Sequence, residues 1–123
     1  MIDLIEKPLR IRSVSEELEV KLRPIADGAL LTTSSRGKGE WKLYGDGSRQ
    51  CKVSVTNLDL PDGTELQLQV RDRLIGEMIA ERSIARFRRE SERGEIVPSV
   101  QANDVLRVLL QGKVILEGSF YHE

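Results

Sequence analysis

The sequence is poor in the residue types that most often carry chemistry. It has one histidine, His122, and one cysteine, Cys51, and aromatic residues make up 4% of its 123 residues. A zinc site usually needs three or four histidine or cysteine ligands, which these two residues do not supply. They are also the only candidates for a cysteine–histidine nucleophile pair, and no neighbouring residue orients either one. A single cysteine excludes an internal disulfide, which is typical of a reducing compartment.

Long apolar runs and a strong net charge are missing as well. No stretch reaches the roughly 18 apolar residues of a membrane-spanning helix, and Asp3 and Glu6 interrupt the N-terminus within signal-peptide length. We therefore expect a cytoplasmic protein by default, although a mature domain cut from a secreted precursor would look the same. The net charge of −1 gives no overall field that would attract nucleic acid or an anionic membrane.

Apolar and polar residues alternate along most of the chain, which is the period of a β-strand. In one example, Leu18, Val20 and Leu22 alternate with charged residues. Turn sequences separate the alternating runs, and the clearest is Leu60-Pro61-Asp62-Gly63. The turns are predicted at residues 27–28, 36–39, 45–48, 61–63, 93–94, 103–104 and 111–112. The sequence therefore predicts an all-β fold, either a single antiparallel β-sandwich or a closed barrel of about eight strands.

The alternation also predicts the core and the extent of the domain. The expected core residues are Leu18, Leu22, Trp41, Val53, Leu66, Leu68, Phe87, Leu106 and Phe120. The last two strands, Val105–Leu110 and Val114–Tyr121, flank Gln111-Gly112 and predict a C-terminal hairpin. We expect residues 16–123 to form a single β domain, preceded by residues 1–15 as an arm or as its first strand.

Two features of the pattern leave alternatives open. Residues 77–93 are rich in Ala, Glu and Arg, which favour helix, but their apolar residues do not form one helical stripe. We therefore favour strands over a short helix in this segment. The order of turns and strands in residues 27–55 is repeated in residues 72–110, with Phe87 in the place of Trp41, which is compatible with two duplicated halves.

From residue 53 to about residue 121, turns and hairpin glycines recur at characteristic positions. They are Asn57–Thr64, Leu74-Ile75-Gly76, Val97-Pro98, Asn103-Asp104-Val105 and Ile115–Phe120. With these residues the sequence resembles an uncharacterised type of bacterial β-sandwich domain. The resemblance implies the same fold and carries no known activity. The sequence departs from the pattern at Arg82-Ser83, where a turn of small residues is expected, so the resemblance does not predict the strand break there.

No motif has the spacing of a metal, nucleotide or catalytic site. Asn57–Gly63 looks like part of an EF-hand loop, but Pro61 occupies its fifth position and Leu68 its twelfth, where oxygen ligands are needed. Gly37-Lys38-Gly39 and Gly45-Asp46-Gly47 lack the following helix of a phosphate-binding loop. We therefore predict that the protein is not an enzyme and uses no metal or other cofactor.

Arginine is concentrated in one segment. Seven arginines and no lysine lie within 23 residues, namely Arg71, Arg73, Arg82, Arg86, Arg88, Arg89 and Arg93. Five carboxylates are interleaved with them, which leaves a net charge of +2. Arginine suits contacts with carboxylate or phosphate, but few aromatic residues are available for base stacking. The alternatives, in order of preference, are a solvated and salt-bridged surface, a site for an acidic protein partner, and a site for nucleic acid.

The function that we predict is a noncatalytic β module that binds another protein or a second copy of itself. Leu9 and Ile11 alternate with arginines in the N-terminal stretch, so this stretch is a candidate for strand addition to a neighbouring copy, which would give a homo-oligomer. The alternative is an ordinary first strand or a frayed terminus. A different class of function is a small β-barrel that binds single-stranded nucleic acid through an arginine-rich face, and an enzyme with an unrecognised site is a third hypothesis.

Overall fold

The computed structural model describes residues 13–25 and 34–123. Nearly all regular structure in these residues is β-strand, so the predicted all-β fold is confirmed. The strands are β1 (Val14–Pro24), β2 (Arg36–Tyr44), β3 (Arg49–Thr56), β4 (Glu65–Val70), β5 (Arg73–Ile79), β6 (Ala85–Glu90), β7 (Val105–Leu110), β8 (Lys113–Ser119) and β9 (Tyr121–His122), and a 3₁₀ turn covers Ser91–Arg93. The described residues contain no helix with the length and apolar character needed to cross a membrane.

Eight of these strands form one antiparallel sheet in the order β5-β4-β7-β8-β1-β2-β3-β6, and the short strand β9 pairs with β1. The strands at the two ends of this order, β5 and β6, lie next to each other, so the sheet is nearly closed into a barrel. Strands β4, β5 and β6 follow one another in the chain, and β7 returns to lie beside β4, which is a Greek-key connection. The predicted C-terminal hairpin is present as β7 and β8.

The barrel interior is filled by the alternate residues that the sequence predicts. All nine expected core residues are buried, and none is more than 4% exposed. The indole nitrogen of Trp41 donates a hydrogen bond to the carbonyl oxygen of Pro98 at 2.9 Å, so its polar atom is satisfied. The segment between the 3₁₀ turn and β7 adds Val97 and Val100 to the same core.

Residues 77–93 comprise the end of β5, a turn, β6 and the 3₁₀ turn and contain no α-helix, which confirms the strand interpretation. Arg82 and Ser83 form the turn between β5 and β6, with φ angles of 52° and 67°. Glu81 and Ile84 exchange backbone hydrogen bonds of 2.8 and 3.0 Å across this turn. A carboxylate oxygen of Asp62 accepts a hydrogen bond from the Arg82 backbone amide at 2.8 Å. This contact with a residue outside the turn stabilises a turn that lacks small residues.

The turn expected at residues 36–39 does not form, because these residues begin β2. Gly37 and Gly39 lie opposite large side chains of β1. A Cβ atom on Gly39 would come 2.7 Å from a methyl group of Val20, and one on Gly37 would come 2.9 Å from a methyl group of Leu22. The two glycines therefore leave room for the core side chains of β1 and do not form a turn.

The strand pairing does not reproduce the duplication suggested by the sequence pattern. Strand β2 pairs with β3 as a hairpin. Its expected counterpart β6 also pairs with β3, and within the described residues it does not pair with β7. Within the described residues, segments 34–55 and 72–110 therefore share the alternation of β-strands without sharing a topology.

Candidate functional site

The structure separates the seven arginines that lie close together in the sequence. Arg71 lies in the β4–β5 turn and Arg73 begins β5, whereas Arg82 lies in the turn at the other end of this strand. Because β5 has seven residues, these two groups are roughly 20 Å apart. The remaining four are Arg86, Arg88 and Arg89 on β6 and Arg93 in the 3₁₀ turn. The seven arginines therefore do not all lie on one part of the barrel surface, and their role as a partner-binding set stays a prediction.

Several of these arginines are paired with carboxylates of the same chain. Arg88 lies 3.0 Å from a carboxylate oxygen of Glu90, and Arg93 lies 3.8 Å from the same oxygen. Arg71 lies 3.6 Å from Asp104 and donates a hydrogen bond to a backbone carbonyl. For Arg71, Arg88 and Arg93, these contacts fit the interpretation of a solvated, salt-bridged surface.

Arg86, in contrast, lines a groove on the outside of the barrel. The groove has a volume of about 420 Å³ and crosses β1, β2, β3 and β6, with Tyr121 of β9 at one end. Its floor contains Val20, Gly39, Val53 and Phe87, which lie opposite one another on these four strands. The groove therefore runs across the sheet, from β9 towards β6.

Two rows of outward-facing side chains border the groove. The first row, which we call the basic row, consists of Lys21, Lys38, Ser54 and Arg86. The second row, which we call the mixed row, consists of Glu19, Glu40, Lys52 and Arg88. Neighbouring strands are about 4.8 Å apart, so each row is roughly 14 Å long, and the two rows are separated by roughly 7 Å along the strands.

The basic row carries three cations and no anion. Within residues 13–25 and 34–123, Lys21, Lys38 and Arg86 make no ion pair, and the Ser54 side chain makes no hydrogen bond. Lys21 and Lys38 are direct cross-strand partners, and like charges in that position destabilise a sheet. A surface that keeps these donors together without a carboxylate partner is suited to binding an anion.

The edge of the same surface at β1 and β9 is acidic. Glu17 and Glu19 lie on β1, and Glu123 follows β9. A hydrogen bond with Glu17 and the negative charge of Glu19 raise the pKa of the Glu123 side chain. An anion is therefore repelled from this edge and attracted to the part of the groove formed by β2, β3 and β6.

The other residues singled out in the sequence do not come together. Cys51 is buried on β3, and this burial raises the pKa of its thiol to about 12, whereas His122 is exposed on β9. Asn57–Gly63 contains the predicted turn, with Gly63 at a φ of 89°. In the described part of the chain, no three His, Cys, Asp or Glu side chains converge as ligands for a metal ion. Leu9 and Ile11 lie outside the described residues.

Arg86 is the one member of the basic row that the sequence suggests as a binding residue. Lys21, Lys38 and Ser54 come from three other strands and have no common motif. Their outward positions follow from the alternation, but their alignment depends on the strand register, which one sequence does not show.

Comparisons with known proteins support the fold and provide no activity. No protein family matches the sequence, and no curated protein matches it either. Among solved structures, the crystal structure of the clock protein EA4 is similar, with a TM-score of 0.60. The alignment covers 88% of this chain and 95% of that chain, at 12% sequence identity. At this level of identity, the similarity shows a shared fold alone.

Proposed function

We propose that the protein is a noncatalytic binding module and that its outer groove binds an acidic segment of a protein partner. The basic row is the observation that carries this proposal. Lys21, Lys38 and Arg86 border a groove of about 420 Å³ and make no ion pair with the described residues. Acidic side chains of a bound segment would supply the missing partners, and the groove walls would shield these contacts from water.

The mixed row supports a protein segment as the ligand. Glu40 pairs with Lys42 at 3.7 Å, while Glu19 makes no ion pair within the described residues. Backbone N–H groups and basic side chains of a peptide bind glutamates, so a peptide can satisfy both rows at once. The groove therefore has charges of both signs, arranged for a ligand that also carries both.

Single-stranded nucleic acid is the second candidate, because Tyr121 at the end of the groove is 38% exposed and its ring is available for base stacking. Glu17, Glu19 and Glu123 lie beside this tyrosine, however, and repel a phosphate backbone that approaches it. Base stacking requires the ligand to reach Tyr121, whereas an acidic peptide needs only the part of the groove formed by β2, β3 and β6, so this repulsion ranks nucleic acid below an acidic peptide. Self-association through residues 1–15 stays a separate prediction.

Binding of a fluorescently labelled, glutamate-rich peptide, followed by anisotropy, tests the proposal. The double variant Lys38→Glu/Arg86→Glu reverses two charges of the basic row. The matched control Arg73→Glu/Lys113→Glu makes the same change in net charge at two exposed residues outside the groove. We expect the groove variant to weaken binding by about tenfold or more, the control to stay within about twofold of the wild type, and added salt to weaken the wild-type complex.

Equal loss of binding in the two double variants would mean that net charge, and not the groove, is responsible. Tighter binding of a single-stranded oligonucleotide than of the peptide, with the same sensitivity to the groove variant, would favour the second candidate. Absence of peptide binding by the wild type at low salt would overturn the proposal.

A further inference from the structure

We infer that the acidic segment is anchored by a phosphoryl group, which contacts the Ser54 hydroxyl between Lys38 and Arg86. This inference rests on the proposed function, because it assigns a ligand chemistry to the same groove. It names a phosphorylated protein segment as the partner of the basic row.

The three side chains lie side by side on consecutive strands. Lys38 is the cross-strand partner of Ser54, and Ser54 is the cross-strand partner of Arg86. The two cations are therefore attached at about 4.8 Å on either side of the serine. Both have long, flexible side chains, whereas the serine hydroxyl stays close to the sheet. A single tetrahedral anion that contacts the Ser54 hydroxyl is therefore within reach of the Lys38 and Arg86 side chains as well.

The number of donors and the charge of this trio match a phosphoryl group better than a carboxylate. A phosphorylated side chain carries a charge of about −1.5 to −2 at pH 7 and three acceptor oxygens. Lys38 and Arg86 together carry +2, and the trio supplies an ammonium, a hydroxyl and a guanidinium fork. A carboxylate has two oxygens and a single negative charge, so it would leave one of the two cations without a counter-charge.

The surroundings of the trio favour one phosphoryl group on a peptide over a polymer of phosphates. Lys21 and Lys52 lie beside the trio and add positive charge, whereas Arg88 is already paired with Glu90. Glu40 lies next to Lys52 in the mixed row and, with Glu19, makes the next part of the groove unfavourable for a second phosphate. The groove therefore has one well-equipped anion position, and acidic groups border it.

Three peptides that differ at one central residue test this inference. The central residue is phosphoserine, glutamate or serine, and the proteins are the wild type, Ser54→Ala and the control Lys113→Ala. We expect the phosphoserine peptide to bind the wild type about tenfold or more tightly than the glutamate peptide, because charge-assisted bonds to three donors replace those to two. Ser54→Ala should remove most of this preference while the affinity for the glutamate peptide stays nearly constant, and Lys113→Ala should change neither.

The outcomes separate the inference from the proposed function. If the wild type binds the glutamate and phosphoserine peptides equally, the phosphoryl inference is overturned and the acidic-segment proposal stands. If neither peptide binds, both fail. If a short oligonucleotide binds more tightly than the phosphopeptide and loses affinity in Ser54→Ala, the phosphoryl group belongs to a nucleic acid and a protein partner is excluded.

Discussion

The ring of Phe87 on β6 lies against Gly76 on β5, in the space that a side chain on Gly76 would fill. Strands β5 and β6 are the two ends of the sheet order. Within the described residues, the backbones of these two strands are joined by a single bridge between Glu81 and Ile84. The hydrogen-bonded pairing does not extend along β5 and β6. Packing of an aromatic ring on a glycine therefore closes the barrel where backbone hydrogen bonds do not.

We predict that Gly76→Ala destabilises the protein by about 1–3 kcal/mol, because the new methyl group must displace the Phe87 ring. Urea unfolding followed by Trp41 fluorescence measures this change. Gly45→Ala is the control, since a Cβ atom on Gly45 would find no atom closer than 3.7 Å, and it should cost less than about 0.5 kcal/mol. Phe87→Ala alone should cost about 3–5 kcal/mol. If Gly76→Ala costs as much in the Phe87→Ala background as in the wild type, the two residues are not coupled and this description of the closure is wrong.

The sequence was sufficient to predict the strands and the core because most strands bury one face only. Leu18, Leu22 and Phe120 are predicted to be buried from alternation, and they are. The prediction of a turn at residues 36–39 is wrong because glycine occurs both in turns and in strands that lie close to large neighbouring side chains. The local sequence does not distinguish these two uses of Gly37 and Gly39. The choice between sandwich and barrel also needs the pairing of β3 with β6, which joins residues as far apart in the sequence as Gln50 and Glu90.

The candidate site is much less accessible to sequence reasoning. The density of arginine along the chain is a poor guide to a surface, because Arg73 begins β5 whereas Arg82 lies in the turn that follows the other end of this strand. The basic row joins residues that are up to 65 positions apart, from Lys21 to Arg86. Only the register of three strand pairs brings them together, and register depends on the whole packed barrel.

Our second prediction concerns the turn between β5 and β6. Arg82 and Ser83 both have positive φ angles, a conformation that asparagine and glycine adopt more easily. The double substitution Arg82→Asn/Ser83→Gly should therefore stabilise the protein by about 0.5–1 kcal/mol in urea unfolding.

The control for this change is Arg93→Asn, in a 3₁₀ turn where Arg93 does not have a positive φ. It removes an arginine without relieving backbone strain, so it should give no gain in stability. A loss of stability in the double variant would show that the side chains of this turn matter more than its backbone conformation.

Our third prediction concerns Cys51. Burial raises the pKa of its thiol from 9.0 to about 12, so the folded protein retains a proton that the unfolded chain loses above pH 9. The contribution of this group to stability is therefore intact below pH 9 and is lost as the pH rises from 9 towards 12. Compared with Cys51→Ala, the wild type should lose up to about 1.4 kcal/mol more per pH unit in this range.

Urea unfolding of both proteins at several pH values checks this difference, because the other titrating groups are the same in both. Iodoacetamide should also leave the folded wild type unmodified at pH 8 and alkylate it after unfolding, since the thiolate is the reactive form. Parallel pH profiles for the two proteins, or rapid alkylation of the folded protein, would contradict the burial of Cys51.

The most direct test of the central claim is an NMR map of where an acidic peptide binds. The ¹⁵N-labelled full chain is titrated with the glutamate-rich peptide at low salt, and the amide shifts are followed residue by residue. We predict that the largest shifts lie on β2, β3 and β6 around Lys38, Ser54 and Arg86. Shifts concentrated instead at the β4–β5 turn around Arg71 and Arg73, or spread evenly over the surface, would contradict the assignment of the groove as the binding site.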